Sequence, residues 1–331
     1  MAERILEVNG LTTSFKTERG MMKAVDGMSF HVDKGEILGV VGESGCGKSV
    51  TSQSILRLYD ESYTAEYEGE VLLDGTDVMK LPLSQMQKLR GSEISMVFQD
   101  ALSSLNPVFT VGQQIEESVI IHQKLKKEEA RKKAVEMLKL VGIPAPESRV
   151  DQYPHELSGG MRQRVMIAIA LACQPKLLIA DEPTTALDVT IQAQIMDLIL
   201  ELNKKMNMGV ILITHDLAVV AETCNRVIVM YLGQTVEEAD VNDLFDNPMH
   251  PYTNGLIRSI PKIEGGREKR LYMIQGMVPL LNQIPKGCRF APRCRYASGK
   301  CREEMPPLKA VSETQKVRCW YAEELAREGW K

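Results

Sequence analysis

The apolar run Glu36-Ile37-Leu38-Gly39-Val40-Val41 leads straight into Gly42-Glu43-Ser44-Gly45-Cys46-Gly47-Lys48-Ser49, and a helix-compatible stretch, Ser49 to Leu58, comes next. A buried strand, a glycine-rich turn and a helix start in that order leave a chain few ways to fold. Gly42, Gly45 and Gly47 admit backbone conformations that a Cβ forbids. Successive N–H groups can then point inward at phosphate oxygens, at the positive end of the helix. In such a G-x-x-x-x-G-K-S arrangement Lys48 reaches the β- and γ-phosphates and the Ser49 hydroxyl binds Mg²⁺. The nucleotide-binding set read here is Gly42, Glu43, Ser44, Gly45, Cys46, Gly47, Lys48, Ser49 and Val50. Cys46 reads as a small filler that leaves a potentially reactive thiol inside the loop.

Leu177-Leu178-Ile179-Ala180-Asp181-Glu182 is an apolar strand ending in two acids. An Asp at a strand end beside a phosphate loop is placed to hold Mg²⁺. Glu182, one residue further, is placed to polarise a water attacking the γ-phosphate. The competing reading is a helix N-cap acid at a strand–helix junction. His215 comes after the apolar run Val210-Ile211-Leu212-Ile213-Thr214 and is either a capping residue or a γ-phosphate contact. Gln99 ends Ile94-Ser95-Met96-Val97-Phe98, where an amide can bind Mg²⁺ or the attacking water and where a surface glutamine is the plain alternative. Leu157-Ser158-Gly159-Gly160-Met161 precedes the helical pattern Val165, Ile169, Ala172, so this second glycine turn offers another helix N-terminus as an anion site.

Apolar runs such as Val165 to Cys173 and Val227 to Leu232 fall far short of the ~20 residues that span a bilayer. Met1-Ala2-Glu3-Arg4 lacks a signal-peptide pattern, so a cytosolic chain is expected, attached to a membrane only through partners. The net charge of −4 is uneven: from Lys262 onward 15 Lys/Arg face 8 Asp/Glu, a surplus of +7, and the remainder carries −11. The basic tail has few stacking aromatics, which argues against nucleic-acid binding. Of seven cysteines, Cys46, Cys173 and Cys224 are scattered and read as small buried residues. Cys288, Cys294, Cys301 and Cys319 fall together amid Pro, Gly and Arg. Structural disulfides are unusual in a cytosolic protein, so the group suggests a metal centre. The gaps do not match the close pairs of common zinc ribbons, four cysteines also suit a [4Fe–4S] cluster, and free thiols are the third option.

Taken together, these motifs resemble the nucleotide-binding subunits of ABC transporters over about Ile5 to Asn247. The resemblance implies an α/β P-loop NTPase of ABC type with a parallel core sheet, an antiparallel β layer, a helical subdomain at about 100–157 and a small cysteine-bearing extension at 248–331. It implies Phe15 as the aromatic on adenine, Gln99 as the Q-loop glutamine, Asp181 as the Mg²⁺ aspartate, Glu182 as the catalytic glutamate and His215 as the switch histidine. Ser158, Gly159 and Gly160 resemble the signature turn, with Met161 departing at its fifth position, and Ala186-Leu187-Asp188 resembles the D-loop. In this family the signature of one subunit completes the ATP site of a second, so isolated chains should be weak ATPases.

Gln152-Tyr153-Pro154-His155-Glu156, His250-Pro251-Tyr252-Thr253 and the cysteine-bearing tail resemble dipeptide and oligopeptide importers. That resemblance implies an ATPase at the cytoplasmic face of the cell membrane that drives peptide import. Its partners are two transmembrane permease subunits, a second ATPase subunit and, indirectly, an extracytoplasmic peptide-binding protein. It also implies a [4Fe–4S] cluster on Cys288, Cys294, Cys301 and Cys319, with Zn²⁺ as the alternative and Arg289, Arg293, Arg295 and Arg302 offsetting its charge. The insert is expected to dock on the membrane subunit near Asp100 to Pro107. Rival readings are a soluble ABC ATPase acting on DNA or ribosomes, which usually carries a long coiled coil or two ATPase domains, and a redox-sensing module.

Lys126 to Val141 has helical periodicity with Ala130, Ala134, Met137, Leu138 and Val141 on one side, and Ile191, Ile195, Leu198, Ile199 and Leu202 form a second apolar stripe.

Overall fold

The computed structural model describes residues 3–18, 20–185, 187–260 and 272–330. In chain order the strands are β1 (Arg4–Thr17), β2 (Gly20–Asp33), β3 (Ile37–Val41), β4 (Ala65–Leu73), β5 (Thr76–Asp77), β6 (Ile94–Val97), β7 (Leu177–Asp181), β8 (Gly209–Ile213), β9 (Arg226–Tyr231), β10 (Gln234–Asp240), β11 (Lys309–Ala310) and β12 (Gln315–Val317). The chain divides into two compact units. The first is Met1–Leu6, Val32–Ile37 and Leu73–Ile213, and the second is Glu7–His31, Leu38–Leu72 and Thr214–Lys331.

In the first unit β6, β7 and β8 are parallel neighbours, with Val97 opposite Ala180 and Asp181 opposite Ile213. All five residues of β7 and of β8 are buried, which is why both read as unbroken apolar runs rather than alternating ones. The register brings the carboxyl ends of the strands level, so the residues just past each strand gather at one edge, where open α/β sheets carry their ligands. Between β6 and β7 lie the helices Val111–Gln123, Lys127–Leu140 and Gly159–Leu171, which pack on one another. Ala130, Ala134, Met137, Leu138 and Val141 are buried as their spacing predicts. Thr110 and Gln113 form a capping box at the start of the first of these helices. The helix Val189–Met206 buries Ile195, Leu198, Ile199 and Leu202, while Ile191, expected in the core, is half-buried at the glycine turn.

In the second unit β2, β1 and β4 are successive neighbours in one sheet, and a second sheet runs β11-β12-β10-β9-β3. β3 and β9 are parallel, with Leu38 opposite Arg226 and Val41 opposite Val229. β9 returns antiparallel as β10 through Leu232 (φ 45°) and Gly233 (φ 78°), two left-handed residues in a row, the backbone a tight twisted hairpin requires. A bulge between Thr235 and Glu237 turns the Glu237 side chain fully inside. β12, from the C-terminal extension, adds to β10 with Glu237 opposite Val317. The extension therefore joins the sheet edge and packs a small core of its own there, Met249, Val317 and Ala322.

Candidate functional site

The phosphate-type loop leaves β3 and opens the helix Lys48–Ile55, which stops short of the Leu58 end that the sequence suggests. Gly42, Gly45 and Gly47 all have positive φ, at 153°, 77° and 103°. At Gly47 a Cβ would lie 2.7 Å from the Ala24 carbonyl oxygen, so both conformation and space demand glycine. Gly47 is also the N-cap, and no side chain caps this helix. Lys48 is buried, with Nζ 2.8 Å from the Gly42 carbonyl oxygen and 3.2 Å from that of Glu43. Its ammonium thus sits inside the curl of the loop. Cys46, expected as a reactive spot, is buried, and burial raises its thiol pKa against the pull of Lys48. Phe15 is half-buried and meets the Tyr59 ring edge-on at 4.8 Å. His215 is exposed, and its neighbour Asp216 caps the helix Leu217–Thr223.

In the first unit Asp181 is buried at the end of β7, and Glu182 comes next with φ 46°. The Glu182 carboxylate accepts hydrogen bonds from Gln99 Nε2 and Thr185 Oγ1, each at 3.0 Å, and its N–H donates to the Ile213 carbonyl at 2.9 Å. Gln99 and Glu182 meet because β6 and β7 are adjacent and in register. Thr185 is a contact that sequence reasoning missed; its only signal is its place three residues after the acid.

Ser158 caps the helix Gly159–Leu171 by accepting the Met161 N–H at 3.4 Å. A Cβ on Gly160 would come within 2.8 Å of Ile191 Cγ2, so this glycine lets the signature helix approach the helix capped by Asp188. Asp188 accepts the Ile191 N–H at 3.0 Å. Ala186, in the expected D-loop, lies outside the described residues.

The expectation of a metal centre in the tail is corrected. Cys288, Cys294, Cys301 and Cys319 do line one small apolar cavity of about 20 Å³, with Phe290, Ala291 and Leu325. Among the described residues, however, no group of three or more His, Cys, Asp or Glu side chains is arranged to hold a metal ion, so neither an iron–sulfur cluster nor zinc is supported. Burial holds the Cys288 thiol above its ordinary value and pushes Cys294 to about 11 and Cys319 to about 12. Burial in this apolar pocket favours the neutral thiol over the thiolate that a metal ligand requires. Three of the four arginines expected to neutralise a cluster are engaged elsewhere: Arg289 with Asp26 and the Leu232 carbonyl, Arg293 with Glu43, and Arg295 with Tyr296 and the Trp330 carbonyl.

Residues 25–185 match the ABC transporter family, and residues 236–301 match the C-terminal region of oligopeptide/dipeptide transporters. A probable peptide ABC transporter ATP-binding protein of Sinorhizobium fredii is 54% identical over 324 residues, covering 98% of this chain and 97% of its own. An oligopeptide transport ATP-binding protein of Bacillus subtilis is 52% identical over 324 residues, 98% of each chain. A dipeptide transport ATP-binding protein of Escherichia coli is 48% identical over 322 residues, 96% of each. These names speak of ATP binding and peptide transport and carry no mention of iron–sulfur. Among solved structures, a dimeric ATP-binding cassette in a post-hydrolysis state bound to ADP and Pi superposes with a TM-score of 0.64 at 31% identity, covering 71% of this chain and 98% of that one. With near-complete coverage at about half identity, and both family regions in order along it, the chain belongs to the ATP-binding proteins of oligopeptide/dipeptide ABC transporters.

Proposed function

We propose that this chain is the ATPase of a dipeptide or oligopeptide importer, working with two transmembrane permease subunits, a second ATPase subunit and, through them, an extracytoplasmic peptide-binding protein. The observation that carries the reading is the glycine loop of positive φ that opens the Lys48 helix with Lys48 drawn into its curl. That loop is a backbone anion cradle, and the relatives are named as ATP-binding.

In this reading residues 42–50 hold the phosphates and Phe15 stacks on adenine. Ser49, Gln99 and Asp181 present a hydroxyl, an amide and a carboxylate, a hard oxygen set suited to Mg²⁺. Mg²⁺, when bound with the nucleotide, neutralises charge that develops on the β- and γ-phosphates. Glu182, fixed by Gln99 and Thr185, orients and polarises the attacking water, and His215 contacts the γ-phosphate. Ser158, Gly159, Gly160 and Asp188 face the nucleotide of a second ATPase subunit.

The ATPase region is taken as 1–247 and the extension as 248–331. No helix among the described residues is long and apolar enough to cross a membrane. In this reading the chain sits peripherally on the cytoplasmic face, held there by its partners. Val108 and Phe109 are exposed beside the segment expected to meet the permease, which supports docking there.

The test is a pull-down with the tagged chain from detergent-solubilised membranes. Multispan permeases and an ATPase subunit are expected, and peptide uptake should be abolished by Lys48→Ala. Recovery of nucleic acid or ribosomal proteins in their place, with uptake indifferent to Lys48, would refute the proposal.

A further inference from the structure

Glu43 is the second residue of the glycine loop, and its carboxylate faces away from the curl into the C-terminal extension. Arg293 takes it in a two-pronged contact, Nη1 to Oε2 at 2.5 Å and Nη2 to Oε1 at 3.0 Å. The Arg293 side chain is only 4% exposed. Its Nε donates to the Gln275 carbonyl at 3.1 Å, Nη1 also reaches the Tyr231 hydroxyl at 3.5 Å, and the guanidinium lies 5.9 Å from the Tyr231 ring centre. A second hold comes from Tyr252, fully buried, whose hydroxyl accepts the Glu43 N–H at 2.8 Å. Tyr252 cannot drift, because Tyr231 and Phe290 close on its ring at 4.8 and 5.3 Å. The Glu43 carbonyl meanwhile accepts from Lys48. The N–H and side chain of one loop residue are therefore fixed by the extension, and its carbonyl by the lysine that serves the phosphates.

We propose that Arg293 and Tyr252 are positioning residues for nucleotide, holding the phosphate loop in its binding conformation from the C-terminal extension through Glu43. The inference rests on ATP binding at this loop. It gives the extension a part in the ATP site itself. A bidentate Arg–carboxylate contact fixes direction as well as distance, here with the guanidinium buried and the Glu43 side chain 30% exposed. Without it the loop samples other conformations, and apparent affinity falls in proportion to the fraction still competent.

The experiment measures binding of a fluorescent ATP analogue with Mg²⁺ by the full-length chain, alongside KM and kcat for ATP hydrolysis. Arg293→Ala should weaken binding about tenfold and raise KM with kcat within about twofold. Glu43→Gln should weaken binding comparably, and the double variant should be no more than about twofold worse than either single one, because both break the same two-pronged contact. Val317→Ala, which loosens the extension core away from the loop, serves as the stability control: at a matched drop in Tm it should leave ATP affinity unchanged. Should Arg293→Ala not fold, Arg293→Lys, which keeps the charge but loses the fork, should weaken binding at least threefold. Binding within twofold of wild type for the Arg293 variants, multiplicative losses in the double variant, or an equal loss in Val317→Ala overturns the proposal. A wild-type chain that binds no ATP, or a Lys48→Ala variant that binds it as well as wild type, sinks the loop assignment and this inference together.

Discussion

Glu237 lies fully buried at the bulge of β10, where the extension meets the sheet. Its carboxylate accepts the N–H groups of Met249 at 2.7 Å and His250 at 2.9 Å, and Gln315 Nε2 at 2.8 Å. Burial outweighs those bonds and raises its pKa from 4.5 to about 7. His250, also buried, is pushed by burial and then by Arg318 from 6.5 down to about 3. The two act in opposite senses. The folded state holds the Glu237 proton longer than the unfolded one, so the stability this group contributes is complete below pH 4.5 and lost as pH rises through 7. At ~1.36 kcal/mol per pH unit, that loss is about 3 kcal/mol. The unfolded state instead takes up the His250 proton first, so stability from that side chain grows between pH 3 and 6.5. Between pH 4.5 and 6.5 the two slopes cancel. Glu237→Gln removes one of them and keeps the volume; losing an acceptor shifts the offset but not the slope. Urea denaturation of both proteins at about pH 4.5, 5.5, 6.5 and 7.5 and constant ionic strength gives the difference directly. Wild type should lose about 3 kcal/mol relative to Glu237→Gln across that range. A difference that stays constant to within about 1 kcal/mol would refute a raised Glu237 pKa.

The site itself yields three further expected outcomes. Glu182→Gln keeps the Gln99 and Thr185 neighbours but loses the base, so hydrolysis should fall by roughly 10²–10⁴-fold while ATP still binds, and size-exclusion chromatography with ATP, Mg²⁺ and the partner subunit should show a trapped dimer. Gly47→Ala meets both a φ of 103° and the Ala24 carbonyl at 2.7 Å, so it should cost about 1–3 kcal/mol in urea denaturation and abolish ATP binding. Cys46, buried with a raised pKa, should alkylate at least about tenfold more slowly in the native chain than in urea, read by site-resolved mass spectrometry.

The strand–loop–helix unit and the apolar strand ends were legible because short-range patterns write them. Fully buried parallel strands are continuous apolar runs, and a positive φ leaves a glycine. Long-range engagement was not legible. Arg289 and Arg293 stand among cysteines in the sequence and were read as partners for a cluster, yet they fold back more than 200 residues to Asp26 and Glu43. The four tail cysteines gather in space, as their proximity suggested, but a spacing does not reveal whether thiols end as ligands or as packing in a 20 Å³ cavity. Tyr252 stood in a motif that resembles the family, but nothing in that motif gave it a contact; its role depends on a hydroxyl reaching a loop 209 residues earlier.

The two acids at the end of β7 can be weighed between capping and chemistry from their surroundings. An Asp-Glu at a strand end can cap the next helix or serve chemistry. The next helix starts at Val189 and is capped by Asp188, whose carboxylate takes the Ile191 N–H. Glu182 therefore has no helix to cap. It nonetheless adopts a left-handed φ of 46°, which costs a non-glycine residue ~1–2 kcal/mol. Its N–H is pinned to Ile213, its carbonyl accepts the Thr185 N–H at 3.2 Å, and its carboxylate is held twice. A carboxylate fixed from its backbone N–H, its carbonyl and its side chain, in a conformation that glycine would adopt with less strain, is better explained by where its oxygens must point than by stability. That direction is the property an attacking water needs.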